Sequence, residues 1–257
     1  MNKGKKVFYF DTFNEDVIES ADQDFKLSDD YKWINDNIFV RIGSWLIYIL
    51  AIIIGTVYCR LGLLVTIKNK KAFKEANKSK KGYFIFANHT QPVGDVFIPA
   101  LACIKRRVYV MVSTANYGIP VIGKILPMLG ALPVPESLSG FRKFNAACNK
   151  RIEQKRCVVV YPEAHVWPYY TGIRPFAKTS FKFPCELDVP SYCITTTYRK
   201  SKLFKRPKAV VYVDGPFYPD KDINMKARQT KLHDEIYAQM SRRSEQSNYE
   251  FYQYIKK

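Results

Sequence analysis

The stretch FIFANHTQPVGDVFIPAL, Phe84 to Leu101, sets one of the three histidines of this chain between two apolar runs. The first run, YFIFA, is short and aromatic and stops at Asn88-His89. It reads as a strand buried on both faces, as strands of a parallel sheet are. The second run, DVFIPALACIKR, reads as a helix that opens at Asp95. A strand, a polar turn through Pro92 and Gly94, and a helix make half of a βα unit. In open α/β sheets, function gathers at the carboxyl ends of strands, and His89 stands at one.

Residue types alone leave two readings of this turn. In the first, His89 is a general base. A neutral imidazole takes a proton from a hydroxyl near pH 7, best when a carboxylate such as Asp95 holds its other ring nitrogen. No G-x-S-x-G elbow lies nearby, so the nucleophile would be the substrate's own hydroxyl. That suits direct acyl transfer from a thioester to an alcohol. In the second reading Asp95 is the N-cap of the following helix, a position Asp favours.

Downstream the same texture repeats. VYVMVST, CVVVYPE, PSYCITTTYR and KAVVYVDG read as strands, and GFRKFNAACNKRIEQKR and NMKARQTKLHDEIYAQMSRR as helices. The alternation predicts an α/β fold with a mostly parallel central sheet flanked by helices over residues 82–257. The closing SNYEFYQYIKK is polar and aromatic and is assigned to no element.

Upstream, IGSWLIYILAIIIGTVYC, Ile42 to Cys59, carries no charge. It sits at the lower edge of membrane-spanning length. Trp45, Tyr48 and Tyr58 suit an interface, and Arg60, Lys68, Lys70, Lys71, Lys74, Lys78, Lys80 and Lys81 follow with one acid, Glu75, among them. A basic cluster beside an apolar helix points to a cytoplasmic, anionic-lipid-facing surface. The other reading is a buried core helix with a solvated lysine-rich loop. We take residues 38–60 as a membrane-associated helix, spanning or half-embedded, and 61–81 as a basic linker. Residues 1–37 form a polar arm, irregular or helical, rich in acids: Asp11, Glu15, Asp16, Glu19, Asp22, Asp24, Asp29, Asp30 and Asp36. No cleavable signal peptide is expected, because the first apolar run is very short and breaks into acids.

The net charge of +18 implies an anionic partner: nucleic acid, an anionic membrane or a phosphorylated substrate. The apolar helix and the lack of a recognisable binding motif argue against nucleic acid. The six cysteines form no C-x-x-C pair and sit mostly in apolar runs. They read as buried thiols of a reducing compartment, without a zinc site or disulfides.

FANHTQPVGD resembles the first motif of the lysophosphatidic acid acyltransferase-like glycerolipid acyltransferases, Asn-His, four residues, then Asp. VVVYPEAH is similar to that family's Phe-Pro-Glu-Gly block, with Tyr161 for Phe and Ala164 for Gly. GIRPFAKTSFKF, DVPSYCITTTY and AVVYVDGPFYP resemble its later blocks in order, over roughly residues 40 to 245. There are departures. Five residues separate His89 from Asp95. The strand expected to end in a phosphate-holding arginine, GALPVPES, ends in Pro135-Glu136, with Arg142 or Lys143 the nearest substitutes. Ala164-His165-Val166 stands where Gly-Thr-Arg is usual.

The resemblance implies a membrane-associated O-acyltransferase in phospholipid biosynthesis, its catalytic domain on the cytoplasmic face of the membrane. Acyl-CoA or acyl carrier protein would supply the acyl group as co-substrate, and a lysophospholipid such as 1-acylglycerol 3-phosphate would accept it. No metal or cofactor is expected. His89 and Asp95 would be catalytic, and Asn88, Glu163, Arg174 and Lys178 would bind substrate. Glu163 would position substrate hydroxyls or the catalytic loop and is otherwise a capping or salt-bridged carboxylate, and Arg174 and Lys178 are otherwise solvated charges. His165 is read as structural and His233 as a surface residue. Trp167, Tyr169 and Tyr170 line an acyl channel or simply pack. Another hydroxyl or amine acceptor, or a non-catalytic basic protein of the membrane surface, remains as an alternative.

Overall fold

A computed structural model describes residues 5–9, 25–28, 30–103, 105–201, 204 and 206–257. Its first element is strand β1 (Lys5–Tyr9), followed by the long helix α1 (Ile38–Val57), which widens into a π-helical turn at Tyr58–Gly62. Next come β2 (Thr66–Lys68), the short helix α2 (Phe73–Ala76), β3 (Tyr83–Ala87), α3 (Gly94–Ala102) and β4 (Val108–Val112). The middle of the chain holds α4 (Ile122–Leu129), β5 (Ala131–Pro133), α5 (Leu138–Glu153) and β6 (Cys157–Val160). It closes with α6 (Lys182–Leu187), β7 (Ser191–Arg199), β8 (Lys208–Phe217), α7 (Met225–Ser244) and β9 (Tyr252–Lys256).

Seven strands form one sheet in the order β2-β8-β7-β3-β6-β4-β5, and only the β7–β8 pair is antiparallel. The expected mostly parallel α/β sheet is therefore present. β3 lies in its middle, with all five residues buried. Its side chains alternate between two cores, as the period of a strand requires. Tyr83, Ile85 and Ala87 pack with α3 and the end of α1. Phe84 and Phe86 pack with α5, α6 and α7. β6 divides in the same way, Cys157 and Val159 on one face and Val158 and Val160 on the other. The chain thus leaves β3 toward one layer and β6 toward the opposite layer. The two loops part at the carboxyl ends of neighbouring strands, where such sheets open a crevice.

α1 lies along the α/β domain rather than away from it. Its Ser44 hydroxyl donates to Met128 O at 2.9 Å and accepts from Arg107. Its Tyr48 hydroxyl accepts from Val108 N at 3.1 Å. Gly55 faces the Phe97 ring so closely that a Cβ would stand 2.2 Å from it. The opposite flank is bare: Phe39 is 80% exposed, and Ile42, Leu46, Leu50, Ile53 and Val57 are each more than half exposed. From Ile38 to Gly62 the helical stretch is long and apolar enough to cross a membrane.

Three expectations change. Residues 61–81 are not a linker: β2 pairs with β8 at the sheet edge, and Phe73 and Ala76 are buried. The lysines disguise this segment because an edge strand keeps charge on its open side. The polar arm is not wholly irregular or helical, since β1 pairs in parallel with β9, the unassigned tail. Trp33 is buried and donates its indole N–H to Pro133 O at 2.9 Å. The acids Asp11 to Asp24 and Asp29 lie outside the described residues. Third, His233 is buried, its Nε2 donating to Phe176 O at 3.1 Å, with the Phe176 and Phe181 rings packed edge-on.

Candidate active site

The loop after β3 is held by its first residue. The Asn88 amide donates to Thr196 O at 3.0 Å and accepts from Thr196 N at 2.8 Å. It imitates a backbone group and carries the β3–β7 ladder one step further. Asn88 is 1% exposed with both ends of its amide occupied, so it positions the loop and does not face a substrate, contrary to expectation.

The next residues wind tightly. Asp95 N donates to Gln91 O at 3.0 Å, one α-type turn that takes up the fifth residue of the spacing just before α3. Gly94 is required there, because a Cβ would meet Leu63 Cδ1 at 2.6 Å and Gln91 Cβ at 3.0 Å. Asp95 is in the first turn of α3 and not its N-cap, a place held by Val93. Its carboxylate bends back over the loop. Oδ2 accepts from Thr90 N and Gln91 N, each at 2.9 Å, and from His89 Nδ1 at 2.8 Å. The expected histidine–carboxylate pair is formed. An acid in a first turn also lies favourably in the helix field.

The imidazole side chain is 19% exposed against 3% for its carboxylate partner. Nδ1 donates to Asp95, so the lone pair of a neutral ring falls on Nε2, which has no hydrogen-bond partner among the described residues. The ring stacks on Tyr161 with centroids 4.4 Å apart. Tyr161 in turn donates its hydroxyl to Asp95 O at 2.5 Å. Burial, with the Asp95 charge second, pushes the Tyr161 hydroxyl well above its ordinary value and keeps it a neutral donor.

Glu163 secures the same loop from below. Its Oε2 accepts from His89 N at 3.0 Å and from Arg174 Nη2 at 3.1 Å, and Oε1 accepts from Arg174 N at 2.9 Å. Both side chains are fully buried. The Arg174 guanidinium also donates to His165 O and lies over the Trp167 ring, 4.9 Å from its centroid. Glu163 and Arg174 are thus buried together and hold the loop, which is the loop-positioning, salt-bridged reading of Glu163 and not the solvated charge read as the alternative for Arg174. A buried pair of this kind is costly to break because one charge is left uncompensated. Lys178 is half exposed, pairs with Asp234 of α7 at 3.8 Å, and makes no polar contact with the 88–95 loop.

Several residues that no motif marks complete the cradle. Trp167 N donates to His89 O at 3.0 Å and Tyr169 N to Thr90 O at 2.9 Å, so the turn at 167–169 is bonded to the loop through its backbone. Tyr198, near the end of β7, meets the Thr90 hydroxyl at 2.7 Å and accepts from Gln91 Nε2 at 2.9 Å. Burial holds its hydroxyl well above the ordinary value. Trp167 is packed between Tyr9 of β1, Tyr170 and Tyr254 of β9. The aromatic cluster packs ring against ring. Its one sequence signal is the density of tyrosines in WPYYTG and NYEFYQY.

A buried carboxylate holding a partly exposed imidazole at the carboxyl end of a central strand is an arrangement that suits proton removal from a hydroxyl. The sequence model of the acyltransferase family matches residues 65–197, just over half of the chain, and the chain belongs to that family. The fold is similar to the crystal structure of the 1-acyl-sn-glycerophosphate (LPA) acyltransferase PlsC from Thermotoga maritima. The TM-score is 0.56 at 12% identity, over 82% of this chain and 89% of that one. No curated protein matches the chain significantly.

Proposed function

We propose that the chain is a membrane-surface glycerolipid O-acyltransferase. It takes an acyl group from acyl-CoA or acyl carrier protein and places it on the free hydroxyl of a lysophospholipid such as 1-acylglycerol 3-phosphate. The observation that carries this reading is the 2.8 Å contact of His89 Nδ1 with Asp95, which leaves Nε2 to the crevice. Nε2 removes the hydroxyl proton as the oxygen attacks the thioester carbonyl. Asp95 stabilises the imidazolium that forms. The tetrahedral intermediate then collapses, the C–S bond breaks, and the imidazolium proton goes to the departing thiolate. General base catalysis of this kind contributes roughly 10²–10⁴-fold.

The placement of α1 supports access from the lipid. One flank is bonded to the domain at Ser44 and Tyr48 and packs on it at Gly55, and the other presents exposed apolar side chains from Ile42 to Val57. A helix docked along its length lies in the plane of the bilayer surface instead of crossing it. Its carboxyl end meets the catalytic loop through Leu63 and Gly94, so an acceptor dissolved in the leaflet reaches His89 without leaving it.

One observation favours a second acceptor class. No arginine stands after β5, where Pro135 is buried and Glu136 is exposed, so a hydroxyl or amine acceptor without a phosphate monoester is the rival reading. The test is a screen of labelled acyl thioester against lysophospholipid, alcohol and amine acceptors, with His89→Ala as the control. An ester of a lysophospholipid formed by the wild type and lost in His89→Ala supports the proposal. An acyl product that forms equally with His89→Ala refutes it.

A further inference from the structure

A cavity of about 320 Å³ lies between α1, β2 and the end of α3. None of its lining residues belongs to the 88–95 loop. Leu101 closes it from the last turn of α3, while Asp95 is in the first turn. About 9 Å of helix axis separates them.

The lining has two halves. Ile52, Val65, Ile67 and Leu101 form an apolar wall, and Arg60 and Lys70 bring two cations. No carboxylate among the described residues lines the space. Arg60 is exposed and makes no hydrogen bond or ion pair with the described residues. Lys70 is partly buried and donates to Leu101 O at 3.0 Å. Burial first, and the repulsion of Arg60 second, push its ammonium below the ordinary value. Two like charges at the edge of an apolar wall are an unfavourable arrangement that an anion relieves. Arg60 also follows directly on the charge-free Ile42–Cys59 run. With α1 in the bilayer surface, the cations stand at headgroup level and the apolar wall faces the acyl region.

We propose that this cavity holds one anionic phospholipid of the bilayer, its phosphate between Arg60 and Lys70 and the head of an acyl chain against Ile52, Val65, Ile67 and Leu101. The inference rests on the membrane-surface reading of α1. Free phosphate satisfies the cations but leaves the apolar wall wet. A lipid without phosphate covers the wall but leaves the cations unpaired, and a zwitterionic phospholipid brings an ammonium of its own beside them. An anionic phospholipid meets both halves without adding a cation.

The test uses the full chain taken from phosphatidylcholine–phosphatidylglycerol vesicles into detergent, with retained lipid counted by native mass spectrometry. The variants are Arg60→Gln/Lys70→Gln, the cavity-filling Ile67→Trp, and Lys78→Gln/Lys80→Gln as a charge-matched control outside the cavity. One phosphatidylglycerol is expected on the wild type and on the lysine control. About tenfold less or lower is expected on the other two, consistent with losing two interfacial cations in the first. Equal retention by Arg60→Gln/Lys70→Gln, equal loss in the lysine control, or displacement by inorganic phosphate alone overturns the proposal. Flotation on pure phosphatidylcholine vesicles separates the two readings. A chain that floats but retains no phosphatidylglycerol sinks the cavity alone. A chain that floats on no vesicle sinks the placement of α1 and the cavity with it.

Discussion

Asp95→Asn removes a charge from the site while leaving most of its geometry. Oδ2 of Asp95 accepts three N–H groups, two of them from the main chain of Thr90 and Gln91. An amide oxygen accepts the same three, so the loop keeps its turn and Nδ1 keeps its proton. What is lost is a negative charge 2.8 Å from Nδ1 at the moment the ring becomes cationic. Two unit charges about 4 Å apart between centres, at an effective dielectric near 20, interact by about 4 kcal/mol. That corresponds to roughly a thousandfold in rate, inside the range expected for a general base. The assay is thiol release from an acyl thioester by purified protein in mixed micelles, with acceptor saturating. The expected result is kcat down by about 10²–10⁴ with KM little changed. Weakening three charge-assisted bonds to neutral ones costs about 1–3 kcal/mol of stability, a loss of several degrees in Tm. If Asp95→Asn folds and keeps kcat within about threefold of wild type, which is under 1 kcal/mol, the carboxylate does not support the imidazole and the mechanism fails.

The other perturbations act on the scaffold. Glu163→Gln leaves the Arg174 guanidinium buried without its counter-charge and is expected to cost about 3–5 kcal/mol, lowering Tm by roughly 6–20 °C in scanning calorimetry. A small shift would mean that water reaches the pair. Gly94→Ala drives a Cβ into Leu63, an overpacking cost of about 1–3 kcal/mol readable in urea denaturation. Combining it with Leu63→Ala should return part of that loss, and strict additivity of the two changes would show that the contact is not the cause.

The centre of the fold was legible because its signals are local. YFIFA is buried on both faces, and the turn after it holds a histidine and an aspartate in one loop. The strand–helix alternation downstream needed only periodicity. What escaped depends on distant partners. A carboxylate after a strand looks the same whether it faces a substrate or a buried arginine. Glu163 became structural through Arg174, and the link between them is their fold. Asn88 reads as a polar loop residue until β7 lies beside it and Thr196 takes both ends of its amide. His233 sits on a helix rich in charge, and the rings that bury it come from Phe176 and Phe181. β2 is three residues long inside a lysine-rich segment, too short for a pattern to rise above its charges.

The pairing of β1 with β9 ties the site to the order in which the chain is made. Lys5 aligns with Tyr252, and Tyr254 both stacks on Trp167 and donates to Pro168 O at 2.8 Å. Trp167 is the residue whose N–H holds His89 O. At ribosomal speeds the interval between Asp95 and β9 is on the order of ten to thirty seconds. For that time the histidine and its carboxylate exist on a nascent polypeptide whose supporting wall is not yet synthesised. The cradle closes only once β9 has emerged, so a prematurely terminated product carries the motif without its buttress.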